Sequence, residues 1–172
     1  EYWNSDALYA FMPYGHERTK GLQPLSLDIY GFGEVLAPRI NLTGWAQNLT
    51  KSYQLNEPAW NTVMVDGNIL DTFRGDITES TVSYHDFTDE IKVLSAQVHV
   101  LGVRRTELAM PYVERHRGED RVHSRTLALT DVYLVDVFRI TYDQEPLYKH
   151  NFDYVLHGYG KLTLQGKVGQ IA

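Results

Sequence analysis

Four ionisable side chains, His16, Glu17, Arg18 and Lys20, crowd a Gly-bounded segment at the head of "PYGHERTKGLQPLSLDIYGFGEVLAPRINL" (Pro13–Leu42). A further cation, Arg39, closes the second of the two apolar runs that follow. Such a cluster is either a solvated loop or the wall of a site for something polar and charged. Downstream, Trp45, Tyr53 and Trp60 are interleaved with Asn41, Asn48, Asn56 and Asn61, and Lys51 lies close by. Flat aromatic faces cover the apolar faces of pyranose rings, while amides and guanidinium groups hydrogen-bond hydroxyls and carboxylates. The competing reading makes Trp60 a core residue and the asparagines turn formers.

Other chemistries find less support. The seven histidines, His16, His85, His99, His116, His123, His150 and His157, include no pair at H-x-H spacing, so a ligand set on adjacent strand positions is missing. His150 and His157 flank one strand and could converge only through the fold. No G-x-S-x-G, Walker loop or dinucleotide-binding glycine pattern is present. Asp28, Asp66, Asp136 and Asp153 lie on or beside strand-like runs, where a buried acid could pair with an arginine. A jelly-roll metal enzyme is disfavoured by the missing H-x-H. The sequons at Asn41 and Asn48 are assigned no function.

The 172 residues suit one domain, and the 43% hydrophobic, 22% charged composition is that of a globular chain with a sizeable core. There are no cysteines, so disulfides and thiolate metal sites are excluded. A net charge of −6 argues against a nucleic-acid binder but allows a local cationic groove for an anionic ligand. No apolar stretch is long enough for a membrane-spanning helix, and no signal peptide is visible. The opening "EYWNSDALYAF", already aromatic and apolar, suggests a chain that continues upstream.

The elements that must position these residues read as strands. Alternating, β-branched and aromatic runs occur at "LSLDIYGF" (25–32), "EVLAPRI" (34–40), "WNTVMVDG" (60–67), "STVSYHDF" (80–87) and "IKVLSAQVHVL" (91–101). Others follow at "ELAMPYVERHR" (107–117), "RTLALTDVYLVDVFRITY" (125–142), "FDYVLHG" (152–158) and "KLTLQG" (161–166). The 125–142 run is two strands hinged near Thr130–Asp131. Turn signals fall at Asp66-Gly67, at 74–76, at 117–120 and at 158–160, and no segment holds a helical period. Closely spaced strands without helices predict an all-β, antiparallel β-sandwich in a single domain spanning 1–172, with few or no helices.

The order of "GH…PLSLDIYGFGEVLAPRI", "YQLNEPAWNTVMVDG", "RTLALTDVYLVDVFRI" and "HNFDYVLHGYGKL" resembles the C-terminal sheet domain of the heparinase II/III-like polysaccharide lyases, alginate lyases included. The resemblance covers about Pro13 to Leu162. It implies a supersandwich-like sheet domain from the C-terminal part of a longer, periplasmic or secreted lyase. In complete members an N-terminal α/α toroid precedes the sheets, and the enzyme cleaves uronic-acid polysaccharides by β-elimination. The fragment alone would be inactive. The alternative from the same residues is a non-catalytic carbohydrate-binding or scaffold module.

The resemblance also implies roles. In relatives a His, an Asp and a second His hold a metal, commonly zinc. Here His16 is offset from the usual position near Thr19 or Gly21, Arg39 stands where the Asp falls, and Trp60 replaces the second His while Asn61 is kept. These departures predict no zinc at that place. They predict instead that Arg39 fills the vacated pocket and pairs with Glu17, Asp28 or Asp66. The family tyrosine falls near Trp45 or Ala46, with Tyr53 the nearest alternative. His16 and Tyr53 are thus the catalytic candidates. Arg18, Lys20, Arg39, Trp45, Trp60 and Asn61 are the candidates for holding an acidic polysaccharide.

Overall fold

The computed structural model describes residues 7–14, 24–38, 60–66, 77–101, 119–146 and 149–158. Nine strands make up its regular structure, with no helix among the described residues: β1 (Leu8–Phe11), β2 (Asp28–Gly31), β3 (Glu34–Ala37), β4 (Val63–Val65), β5 (Ile77–Phe87), β6 (Lys92–Val100), β7 (Arg121–Leu129), β8 (Leu134–Tyr142) and β9 (Phe152–Tyr154). They form a three-stranded sheet β1-β2-β3, a two-stranded sheet β4-β9 and a four-stranded sheet β5-β6-β7-β8. Every pairing is antiparallel. The expected all-β, antiparallel architecture is therefore what the chain adopts. β1 was not anticipated; it pairs with β2 from Leu8 opposite Gly31 to Phe11 opposite Asp28.

Local chemistry explains the hairpins. Phe32 and Gly33 both have positive φ (55° and 79°), the two-residue turn whose twist suits a tight hairpin, and here it joins β2 to β3. Two longer turns share one device. Thr88 caps the β5–β6 turn through its N–H and hydroxyl on the Ile91 carbonyl (2.9 Å each), and Thr130 bonds the Tyr133 carbonyl across the β7–β8 turn. Each threonine oxygen also accepts a backbone N–H from within its turn, an arrangement that threonine favours over strand pairing. The hinge expected near Thr130–Asp131 is this second turn.

Alternation along β6, β7 and β8 aims one face at the three-stranded sheet. Ala96, Val98, Val100 and Leu127 join Met12, Leu25 and Leu27 in one buried cluster, with Ile29, Leu94, Leu134 and Phe138 packed around it. Residues of β6 and β7 thus share one buried cluster with residues that flank β1 and β2.

One charged residue lies inside that core. Arg125 is fully buried, sitting opposite Ala96 on β6 and Phe138 on β8. All five of its N–H donors are used. Nε and Nη2 clamp the two Asp136 carboxylate oxygens at 2.8 and 2.6 Å. Nη1 donates to the backbone carbonyls of Leu25 and Asn61, each at 2.6 Å. Nη2 also reaches the Tyr154 hydroxyl at 3.2 Å, and that hydroxyl donates to Asp136. Of the acids on or beside strands expected to pair with an arginine when buried, Asp136 does so, although it is the arginine that is fully buried. Burial and the bond to Asp136 push the Tyr154 phenol up to about 12. Leu25 holds a left-handed φ of 61°, a strained state for a branched residue, and is fixed by Arg125 on its carbonyl and by its own N–H on the Pro13 carbonyl.

His123, two residues before Arg125 on the same face, is also buried. Its Nε2 accepts a hydrogen bond from Arg121 Nε (2.9 Å), which requires the neutral ring. Burial, helped by the Arg121 charge, pushes its pKa down to about 3.

Two outcomes follow. Arg125→Met leaves the Asp136 carboxylate unanswered and should cost about 3–5 kcal/mol in denaturant unfolding, whereas adding Asp136→Leu should return much of that loss. The His123 ring binds its proton in the unfolded chain near 6.5 but in the folded chain only near 3, so stability falls as pH drops through that window. Between about pH 6 and pH 5 the slope should lessen by up to about 1.4 kcal/mol per unit in His123→Phe, measured by urea midpoints at each pH.

Candidate functional site

The two-stranded sheet β4-β9 has three residue pairs, Val63–Tyr154, Met64–Asp153 and Val65–Phe152, and such a short ribbon is marginal by itself. Several titratable and aromatic side chains gather around it. At one end Asp66 leaves β4 with a positive φ of 55° and takes the Asn151 N–H on Oδ1, while its own N–H bonds the Asn151 carbonyl (2.8 Å each). Gly67, the second residue of the expected turn, lies outside the described residues. Asp66 Oδ2 then meets His150 Nδ1 at 2.6 Å.

The other ring nitrogen of His150 faces Glu119 Oε2 at 3.3 Å, from the segment that enters β7. The ring lies flat on Tyr142 at the end of β8, with centroids 4.9 Å apart and planes 12° from parallel. Its far side tilts towards Phe152 at 6.4 Å. The Tyr142 hydroxyl is buried and finds no hydrogen-bond partner among the described residues. Burial pushes its phenol up, and although the Arg121 charge pulls the other way, Asp66 and Glu119 add to the rise. For Asp66, burial acts to raise the carboxyl, but the bonds from His150 and Asn151 and the charges of His150 and Arg121 together hold it below its ordinary value.

From His150 a strip of rings continues along β9. Phe152 and Tyr154, two residues apart and so on one strand face, are each about half exposed. The Tyr154 hydroxyl is engaged at Arg125 while its ring remains accessible. This strip offers two flat apolar ring faces to solvent, beside imidazole, carboxylate and guanidinium groups that already bond one another within the fold.

The residues expected to act are distributed differently. His16, Arg18, Lys20, Arg39, Trp45 and Tyr53 lie outside the described residues, as does Glu17. Trp60 and Asn61 are described, and both are buried, Asn61 completely. The Asn61 amide donates to the carbonyls of Leu27 (2.7 Å) and Ala37 (3.0 Å), and its oxygen takes the His157 N–H (2.6 Å) and Nδ1 (3.0 Å). With two donors and two lone pairs in use, the side chain has nothing left for a substrate. Asn61 staples β2, β3 and the exit of β9 together, and a Trp60 ring turned from solvent cannot receive a sugar face. The substrate-binding expectation for these two gives way to a structural role. Of the acids expected to pair with Arg39, Asp66 bonds His150 and Asp28 is buried on β2.

His150 and His157 do not share a centre: one sits between Asp66 and Glu119, the other on Asn61. Among the described residues no three His, Cys, Asp or Glu side chains converge on a metal position. No described helix is long and apolar enough to cross a membrane. Sequence reasoning singled out Asp66 and His150 separately but not Tyr142, Glu119 or Arg121. The available signal was position alone, each lying where a strand begins or ends.

No family model, curated protein or solved structure matches the chain.

Asn61→Asp replaces two donors facing carbonyl oxygens with a carboxylate at a sealed position. It should lower unfolding free energy by about 2–4 kcal/mol in urea titration, and more than Asn61→Ala does.

Proposed function

We propose that this chain is the β-sandwich domain of a heparinase II/III-like polysaccharide lyase, working with an N-terminal α/α toroid of the same parent chain on a uronic-acid polysaccharide in the periplasm or outside the cell. One observation carries the reading. The segments whose order resembles that family, "PLSLDIYGF", "WNTVMVDG", "RTLALTDVYLVDVFRI" and "HNFDYVLHGYG", are bound to a single guanidinium through Leu25, Asn61, Asp136 and Tyr154. The ring strip of Phe152 and Tyr154 supports the sugar half of the reading.

β-Elimination requires that the sugar carboxylate be neutralised, the proton alpha to it removed and the leaving oxygen protonated. In this reading the toroid supplies most of that set and the sheet domain closes the cleft. His16 and Tyr53 remain the proposed catalytic contributions of this chain, with Arg18, Lys20, Arg39 and Trp45 holding the polymer.

A second reading, a carbohydrate-binding module without catalysis, is favoured by the state of His150. Both ring nitrogens face carboxylates, so the described site holds no imidazole free to take a substrate proton.

Affinity electrophoresis through gels cast with alginate or heparan sulfate should retard this chain, and Phe152→Ala should weaken retention about threefold to tenfold. The toroid-bearing parent should generate ultraviolet absorbance from the new C4–C5 double bond with one of these polymers. Retention without absorbance on any uronate polymer would replace the lyase by the binding module; neither would remove both.

A further inference from the structure

At 11 residues β5 is the longest strand among the described residues, and it lies at one edge of the four-stranded sheet. Every position from Val82 to Phe87 is exposed, so neither face of this stretch is covered, and the Tyr84 and Phe87 rings are more than half exposed. The opposite edge differs. β8 alternates between exposed and half-buried residues, and the Tyr154 hydroxyl and His150 ring rest on its Asp136 and Tyr142.

An edge strand presents unpaired backbone N–H and C=O groups to any chain able to lie beside it. Proteins blunt such edges with lysine, proline, short length or a bulge. The β5 sequence "ITESTVSYHDF" contains no lysine, arginine or proline, and its length is about twice that of an average strand. Its pairing with β6 is irregular at Ile77/Glu79 and again at Val82/Tyr84, where Ser83 is the extra residue and its hydroxyl bonds that of Ser95 (3.1 Å).

The second bulge decides what can pair there. Ahead of it Val82 lies opposite Ala96 and so shares the inward face of the core residues, while Thr81 faces outward. Beyond it His85 lies opposite Leu94 and faces inward, while Tyr84 and Asp86 face outward. Opposed residues of an antiparallel pair must share a face. Two copies of β5 meet that condition about a two-fold axis between Ser83 and Tyr84. Thr81 then faces Asp86 of the second copy, Val82 faces its His85, and Ser83 faces its Tyr84. A hydroxyl meets a carboxylate, an apolar group meets a ring, and no like charges are opposed. Sliding the register by two residues one way sets Glu79 against Asp86, two carboxylates, and Val82 against Ser83 on the wrong face. Sliding it the other way sets Tyr84 against His85, again on opposite faces.

We infer that β5 is a self-recognition edge, through which two copies of this chain join their four-stranded sheets into one continuous antiparallel sheet about an axis between Ser83 and Tyr84.

The inward side of this junction carries Val82, His85 and Phe87 from each copy, with the His85 and Phe87 rings already 5.8 Å apart. A short edge and the side chains beside it make a contact below about 1,200 Å², which gives a weak, concentration-dependent dimer.

Sedimentation of the whole chain from about 10 µM to about 1 mM should show monomer giving way to dimer. Tyr84→Lys sets two lysines beside the axis and should weaken association about tenfold. Its far-ultraviolet spectrum should stay unchanged, because the ring it removes is exposed. The chain has no cysteines, so introduced thiols report the register without interference. Oxidation should crosslink two copies in Val82→Cys/His85→Cys on the inward face and in Thr81→Cys/Asp86→Cys on the outward one. Within one extended strand these positions stand about 10 Å or more apart, too far for an internal bridge, and Val82→Cys or His85→Cys alone should not crosslink. A chain that stays monomeric over that range would overturn the pairing and leave the edge to a strand of another protein. A dimer that a folded Tyr84→Lys variant keeps at full strength, and that neither double variant crosslinks, would overturn it too. No polysaccharide enters these assays, so their failure and that of the lyase reading are separate results.

Discussion

A guanidinium is tolerated in a protein interior only when its charge and all five N–H groups are answered, and Arg125 is answered by four separate stretches of chain. Asp136 neutralises it in a two-pronged clamp from the neighbouring strand. The carbonyls of Leu25 and Asn61 take Nη1, and the Tyr154 hydroxyl shares Nη2. The strand opposite supplies Ala96, the smallest side chain that keeps the alternation, so the arginine has room. An apolar residue there could fill the volume without choosing a topology. The arginine does choose one, because each misplaced segment would leave a donor or the Asp136 charge unmatched in a dry place.

The same logic recurs at smaller scale around the β4-β9 ribbon. Too short to hold itself, it is fastened at three points by polar groups: Arg125 through Asn61 and Tyr154, the Asn61 amide through Leu27, Ala37 and His157, and His150 through Asp66 and Glu119. Two of these fastenings are sealed and bear full occupancy of their hydrogen-bonding capacity. The third lies nearer solvent. The exposed rings of Phe152 and Tyr154 lie between them.

Much of this was readable before any coordinates. Alternation with β-branched residues located β2 to β9, the Thr130-Asp131 turn appeared where the 125–142 run was expected to hinge, and the strand acid that pairs with an arginine proved to be Asp136. β1 was missed because four residues of "LYAF" carry too little alternation to stand out from the apolar opening of the chain. Asn61 was read as a ligand group because an asparagine beside a tryptophan has the same letters whether its amide faces a sugar or the carbonyls of Leu27 and Ala37. Arg125 drew no notice as a hub, since a single cation within a strand usually lies on the solvent face.

Composition and period determine that this chain makes antiparallel sheets, because side-chain alternation is a local property that each strand carries with it. They also determine that no thiolate or disulfide takes part, since there are no cysteines. Which face of β7 turns inward, which acid meets Arg125 and which two carboxylates bracket His150 were decided only by the tertiary structure. Those partners stand 11, 84 and 31 residues apart in the chain. Contacts at such separations depend on how sheets register and stack, and no local pattern encodes that.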